Sequence, residues 1–288
     1  MYKIWGVIKI LKKIIKIVAL IVFLVSAGVL IKILVIDRYI VQKSNKEIRE
    51  LYDSAFEDTE LDSLEESQDK IQNKLKSLQE VNSDIIGWIK IEDTKINYPI
   101  LMSRSEPEFY LYRDYKKQSS KYGSIFVDYV CKKGMDSQNV ILHGHHMNDG
   151  EMFANLLKFS NPDFCKEHCV ISIDTLSGRR KYKLMSVMKL NTLSSQGALF
   201  DYQIPSFTSD KFFDFSKNVK SRSIIDIPVN VEKNDDKLLM MSTCSYEFEG
   251  FRTVVVWRML RSGEDESVDT SLIKKAVNPV MPECWYKK

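Results

Sequence analysis

No glycine-rich phosphate loop interrupts this sequence, and no internal repeat organises it. The first absence removes a backbone cradle for nucleotide phosphates, and the second removes solenoid and propeller architectures. An excess of one charge is also missing. The 42 Lys and Arg against 39 Asp and Glu leave a net +3, too little to argue for a nucleic-acid partner. Cysteine is sparse and odd in number. Cys131, Cys165, Cys169, Cys244 and Cys284 form no recognisable disulfide framework, so at least one thiol stays unpaired. Only four histidines occur, all between His143 and His168. What remains is an ordinary globular composition, 44% hydrophobic and 28% charged over 288 residues, enough for one full-sized domain with accessories.

One long hydrophobic run stands apart. Ile14 to Ile36 reads IIKIVALIVFLVSAGVLIKILVI, with Lys16 and Lys32 near its ends. At about 1.5 Å per residue it spans roughly 30 Å of hydrocarbon, and lysine stems at its ends can snorkel. Lys3, Lys9, Lys12 and Lys13 precede it, so positive-inside logic places residues 1–13 in the cytoplasm and everything after Asp37 outside. A cleaved signal peptide is the alternative, since Val25-Ser26-Ala27 resembles a cleavage site. The apolar run continues well past it, which favours an uncleaved anchor over residues 14–36.

Residues 37–82 are polar and helix-favouring, with an acidic patch from Glu57 to Asp69. Leu61, Leu64, Ile71, Leu75, Leu78 and Val81 recur at helical steps, giving one apolar stripe that packs a helix on its own domain. From Asp84 the texture changes to short alternating or β-branched stretches bounded by turn residues. DIIGWIKIEDTKINYPI, GSIFVD, NVILHG, CVISID, KYKLMSVMKL, KLLMMSTC and RTVVVWRML all read as strands. Helices are expected at Glu151 to Phe159 and at Ser209 to Ser221, the second with Ser209 as N-cap. Many short strands with few helices predict a mainly β fold, a closed or nearly closed barrel over residues 83–262. The polar tail, residues 263–288, receives no role.

Chemistry concentrates in two places. His143, His145 and His146 lie where a strand ends in a glycine-containing turn, ILHGHHMNDG, a favoured setting for catalysis. The apolar run LLMMSTC ends on Cys244, and Arg252 follows eight residues later. Cys244 has three readings: a buried core residue, a metal ligand, or a nucleophile. Cys165, His168 and Cys169 form C-x2-H-C in what reads as a turn leading into a strand, but their spacing does not suit an ordinary tetrahedral zinc site, so no metal is expected. Nucleophilic catalysis fits better. A thiol needs a base or cation beside it, a histidine can also protonate a leaving amine, and a fixed donor must meet the developing oxyanion. If the residues between them form a turn, Cys244 and Arg252 lie side by side on antiparallel strands, with His145 arriving from a third element.

Together, ILHGHHMNDGEMFANL, MMSTCSYEFEGFRTVVVW and GSIFVD resemble the sortases, and among them class B, over residues from about Asp84 to Leu260. The resemblance implies a sortase-type β-barrel with an N-terminal helical segment, a helix inserted between two late strands, and a membrane helix before them. It implies Cys244 as nucleophile, His145 as general acid/base and Arg252 as the donor to oxyanion or substrate. Leu111, His143, Tyr202, Ser242 and Thr243 are the expected substrate-binding positions. Met240 and Met241 stand where the family motif carries Thr and Leu, and His143 where it often carries tyrosine. The implied reaction is transpeptidation. A secreted protein with an NPxTN-like or PxTG-like C-terminal signal is cleaved after threonine, held as a thioacyl enzyme, and joined to a peptidoglycan amine. No cofactor is implied, the expected state is a monomer, and the expected origin is Gram-positive. A pilus-assembling enzyme and a membrane-tethered cysteine protease are the alternatives, and an adhesion or scaffold module with an incidental thiol is the non-enzymatic one.

Overall fold

The computed structural model describes residues 2–54 and 68–287, in two units divided after Glu47. In the first unit, helix α1 (Tyr2–Ile31) is followed by a π-helical turn (Lys32–Ile36) and the start of α2 (Asp37–Ser54). This is one helical run long and apolar enough to cross a membrane. Its described apolar side chains from Ile14 onward are largely exposed, Phe23 to 67%, as expected of residues with no protein core to enter.

The second unit begins at Ile48. Its elements in order are α3 (Gln68–Val81), β1 (Ile85–Lys90), β2 (Asn97–Leu101), β3 (Ile125–Val127), β4 (Asn139–His143), α4 (Pro162–Glu167), β5 (Val170–Thr175), β6 (Gly178–Leu190), α5 (Ser209–Ser221), β7 (Ile225–Asp226), β8 (Leu238–Cys244), β9 (Arg252–Met259) and β10 (Lys274–Lys275). Eight strands close a barrel in the order β1-β2-β3-β4-β8-β9-β6-β5, with β5 pairing back to β1. The pairs β2/β3 and β4/β8 are parallel and the rest antiparallel. Helix α5 lies in sequence between the late strands β6 and β8, as the resemblance implies.

Strands β8 and β9 are buried on both faces, which explains why they read as continuous apolar runs rather than as alternation. Against β9, Phe159 meets Trp257 edge to face with ring centroids 5.4 Å apart. Helix α3 buries Ile71, Leu75 and Leu78 in a cluster with Ile48, Tyr52, Trp88, Leu101 and Phe126. Full burial of each such side chain stabilises by about 1.5–3 kcal/mol. The stripe therefore faces its own domain. Val81 has already turned outward at 45% exposure, and Leu61, Leu64 and most of the acidic patch lie outside the described residues.

Three local expectations are corrected. The stretch Glu151 to Phe159 is not an α-helix: a 3-10 helix runs Ala154–Ser160 instead. Glu151 is drawn inward ahead of it, accepting from the Tyr98 hydroxyl at 2.6 Å. NPDFCKEHC is a short helix rather than a turn, because Asn161 caps the Asp163 N–H and Pro162 occupies the first turn. Helix α5 keeps its expected bounds, but Thr208, not Ser209, sits at the N-cap position, with no side-chain cap bond.

Candidate active site

The site is built where β4, β8 and β9 end together. Strand β4 runs parallel to β8 with His143 opposite Ser242, and the Gly144 N–H continues the ladder to the Ser242 carbonyl at 3.3 Å. The Thr243 hydroxyl donates to the Gly144 carbonyl at 2.8 Å. Gly144 is required by space: a Cβ there would fall 2.5 Å from the Ile125 side chain and 2.8 Å from the Phe153 ring. The chain thus leaves β4 pressed against β8, and His145 emerges beside the end of β8 that carries Cys244. On the other flank, Cys244 and Arg252 are register partners, and Arg252 Nη1 donates to Cys244 Sγ at 3.1 Å.

His145 Nε2 lies 2.7 Å from the Leu111 carbonyl. A carbonyl can only accept, so that nitrogen carries the hydrogen, and in the neutral ring the free lone pair is on Nδ1. Tyr112 flanks the ring at 5.4 Å between centroids. His146 Nδ1 donates to the Cys244 carbonyl at 3.1 Å, and its ring lies 4.9 Å from that of Tyr246. His143 takes a different partner, Asp128 Oδ2 at 2.7 Å, which also accepts from Gln203 Nε2 at 2.6 Å. Burial alone would raise the Asp128 carboxyl. The hydrogen bonds from His143, the Val130 N–H and Gln203 outweigh it and hold the group below its ordinary range.

A cleft of about 800 Å³ opens over these residues. Leu111, His143, His145, Tyr202, Cys244 and Arg252 all line it. Ser242 and Thr243 do not: both are buried beneath its floor, at 1% and 0% exposure. Ser242 Oγ shares a 2.8 Å hydrogen bond with the Tyr202 hydroxyl, so it sets the pose of a wall residue from below.

The other thiols have different surroundings. Burial pushes Cys131 up to about 11 and Cys165 up to about 12, and their sulfurs donate to the Asn139 and Phe159 carbonyls. His168 stacks on Phe164 at 4.0 Å and bonds its carbonyl, so C-x2-H-C is core packing around a short helix. Among the described residues, no three His, Cys, Asp or Glu side chains converge as a metal cluster. Cys244 alone among these sits half-buried in a cleft against a guanidinium.

Sequence reasoning missed Asp128, Gln203 and Tyr112. Asp128 closes the quoted GSIFVD, but its tie to His143 depends on the antiparallel register Phe126 to His143, which spacing does not reveal. Also missed was Lys189, buried on β6, whose ammonium donates to Thr253 at 2.7 Å and pairs with Glu247 at 2.6 Å, next to the hairpin that carries Cys244 and Arg252.

The sortase domain family matches residues 89–260 of the chain. The chain is similar to Sortase B of Listeria monocytogenes, 32% identical over 193 residues, covering 66% of this chain and 76% of that protein. It is similar to Sortase B of Staphylococcus aureus, 30% identical over 201 residues, covering 69% and 79% respectively. In structure it resembles a Staphylococcus aureus sortase B–substrate complex, with TM-score 0.66 and 25% identity, over 78% of this chain and 99% of that one.

Proposed function

The chain belongs to the sortase family, as a class B sortase and cysteine transpeptidase, and from that premise we propose how its cleft acts and on what. The substrate is a secreted protein whose C-terminal sorting signal, NPxTN-like or PxTG-like, lies extended in the cleft. Its support is the solved relative held with a substrate, which shares this fold and covers most of this chain. Cys244 gives its proton to His145 Nδ1, and its sulfur attacks the carbonyl carbon of the signal's threonine. Arg252, already 3.1 Å from that sulfur, has further N–H donors for the oxygen that gains charge. The C–N bond then breaks, and the leaving amine takes a proton from His145. With Nε2 engaged by Leu111, Nδ1 is the ring atom left to carry it. A thioester remains. An incoming amine attacks it and passes a proton to His145, which hands it to the departing sulfur, so the thiol is released as the new amide bond forms.

The acceptor is a peptidoglycan amine. Residues 1–13 are the cytoplasmic tail, 14–36 the anchor, 37–82 an extracellular helical segment, 83–262 the catalytic barrel and 263–288 a C-terminal tail. Anchoring keeps the enzyme where substrates emerge from the membrane and wall precursors are presented. Leu111, His143 and Tyr202 contact substrate, whereas Ser242 and Thr243 support the floor.

The register pair of Cys244 and Arg252, with His145 just past the end of the adjoining parallel strand, carries this reading. Its test mixes the full chain in detergent with a quenched peptide bearing an NPxTN-like segment, with and without a short peptide amine. The expected result is an acyl-enzyme on Cys244 by intact mass, faster turnover with amine, and a ligated product. Cleavage indifferent to amine would make the enzyme a protease, and strict preference for a lysine side chain would make it a pilus-assembling enzyme. Full wall attachment by Cys244→Ala in cells would mean that the thiol is incidental.

A further inference from the structure

The C-terminal tail lies beyond the matched sortase domain, yet it returns to loops that flank the cleft. It is tied down along its length. Strand β10 pairs with β7, the Ala276 N–H reaches the Ile224 carbonyl at 3.0 Å, the Val280 N–H reaches Ser221 at 2.8 Å, and Ile273 is buried. It ends in a 3-10 helix (Glu283–Lys287) that touches two loops at once.

The first loop, residues 245–251, joins Cys244 to Arg252. Trp285 lies over it, with ring centroids 5.8 Å from Phe248 and 6.1 Å from Phe251, near-parallel to the second. Phe248 and Phe251 meet each other at 4.8 Å, and Phe251 is buried to 1% exposure. The Phe251 carbonyl accepts the Ser245 N–H at 2.8 Å, so a shift of this ring is passed to the residue after the nucleophile. The second loop follows β6. Its Gly197 lies so near the tail that a Cβ there would stand 2.9 Å from the Glu283 nitrogen. Asn191 and Thr192 of the same loop line the cleft, and Thr192 and Gln196 donate to the Gly250 and Glu249 carbonyls at 2.7 and 2.8 Å.

We infer that the tail is part of the catalytic apparatus, with Trp285 a positioning residue that seats on Phe248 and Phe251 and fixes the hairpin holding Cys244 against Arg252. The inference rests on the transpeptidase reading of that pair. Besides the bonds from Thr192 and Gln196, the hairpin loop has two further restraints. Glu247 is held on one flank by Lys189, and the aromatic pair is covered by Trp285 on another. Removing the tail's ring uncovers one face of the Phe248–Phe251 pair and loosens the loop on that flank. Misplacement of a reacting group by about 1 Å can cost up to 100-fold in rate.

The test uses the full chain in detergent, wild type against Trp285→Ala, Trp285→Leu and Trp285→Phe. Two quantities are read: kcat and KM for cleavage of the sorting peptide, and the rate of iodoacetamide labelling at Cys244, scored by peptide mass so that Cys169 and Cys284 do not confuse it. Trp285→Ala is expected to lower kcat by about 10-fold with KM within about twofold, and to slow labelling of Cys244 as the cation is withdrawn from the sulfur. Trp285→Phe is expected to recover both, and Trp285→Leu to fall between. A Trp285→Ala enzyme that melts earlier but keeps both rates overturns the inference. Should that variant not fold, unchanged rates in Trp285→Leu overturn it equally. A wild-type enzyme that cleaves no sorting peptide would sink the transpeptidase reading instead, while the labelling rates still score the tail.

Discussion

Arg252 and Arg258 stand at opposite ends of β9, one facing Cys244 and the other facing Leu238 across the same ladder. Arg258 is 3% exposed and closed upon itself electrostatically. Its Nη1 and Nη2 meet the two oxygens of Glu264 at 2.7 and 2.5 Å, and Lys183 approaches the same carboxylate at 3.1 Å. Nearby, Arg261 holds both oxygens of Asp236 at 2.7 Å. At the cleft end, the guanidinium of Arg252 has a sulfur for its partner, and the described residues give it no carboxylate. Glu108, Asp128 and Asp201 line that cleft without pairing with Arg252, and Asp128 is committed to His143 and Gln203. A charge already neutralised cannot respond to an oxyanion, whereas one left without a counter-charge can. The same residue type on one strand is thus structural where a carboxylate meets it and chemical where none does.

The contrast is broken most severely at the structural end. Arg258→Ala should strip the partly buried Glu264 and the buried Lys183 of their centre; loss of one partner of a fully buried pair costs about 3–5 kcal/mol, and the partial exposure of Glu264 places this loss below that range. Thermal unfolding should show a large drop in Tm. Whatever fraction remains folded should still label at Cys244 with the wild-type rate. At the cleft end the expected pattern is the reverse. Arg252→Ala should slow single-turnover acylation by about 100- to 1000-fold, the cost of one oxyanion donor. Its Tm should scarcely move, because among the described residues its side-chain hydrogen bond is to the sulfur alone. Arg252→Lys should rescue little, since an ammonium lacks the planar fork. If Arg252→Ala unfolds the barrel while Arg258→Ala merely slows it, the assignment of the two ends is wrong.

Much of this arrangement can be read in the residues, and what cannot has a physical cause. The strands are legible because GSIFVD, NVILHG and RTVVVWRML are β-branched and bounded by turn residues. The pairing of Cys244 with Arg252 follows from two strand patterns separated by one short glycine-containing segment, since neighbours in sequence form hairpins. His145 is another matter. It arrives through a parallel pairing, β4 on β8, between residues about a hundred apart; the residues mark it as a candidate at a strand end, and the family resemblance gives it its role. Short helices were misread because their signals are local caps rather than periodicity: Asn161 and Pro162 announce α4, yet Cys165 and His168 drew attention as ligands. Trp285 over Phe248 joins distant segments with no pattern between them, so the tail looked idle.

Acid sharpens the comparison more gently. The hydrogen bond from Arg258, with help from the Arg261 N–H and Lys183, draws Glu264 down to about 2 against the pull of partial burial. A carboxylate depressed in the folded state adds stability above its unfolded value, about 4.3, and that contribution disappears as pH falls through the folded value. Denaturant midpoints taken from neutral pH down toward about 2 should therefore fall steadily in the wild type. Glu264→Gln should start lower and fall less steeply over that window. An equal slope in the two proteins would mean that the Arg258 end contributes nothing to acid sensitivity.

The smallest expected effect lies under the cleft. Thr243→Val keeps the β-branched shape and removes only the hydroxyl that donates to the Gly144 carbonyl at 2.8 Å. A buried acceptor left without its donor costs about 1–3 kcal/mol, which a melt resolves. The chemical consequence is separate. Gly144 is the hinge from which His145 leaves β4, and it is crowded by Ile125 and Phe153 on its other side. Losing the tether lets that peptide rotate and blurs the aim of the imidazole, which affects proton transfer and leaves the thiol in place. The variant should label at Cys244 as fast as the wild type yet show a kcat reduced several-fold, with KM nearly constant. Slowed labelling would instead place Thr243 in support of the sulfur, and the floor would then belong to the nucleophile rather than to the base.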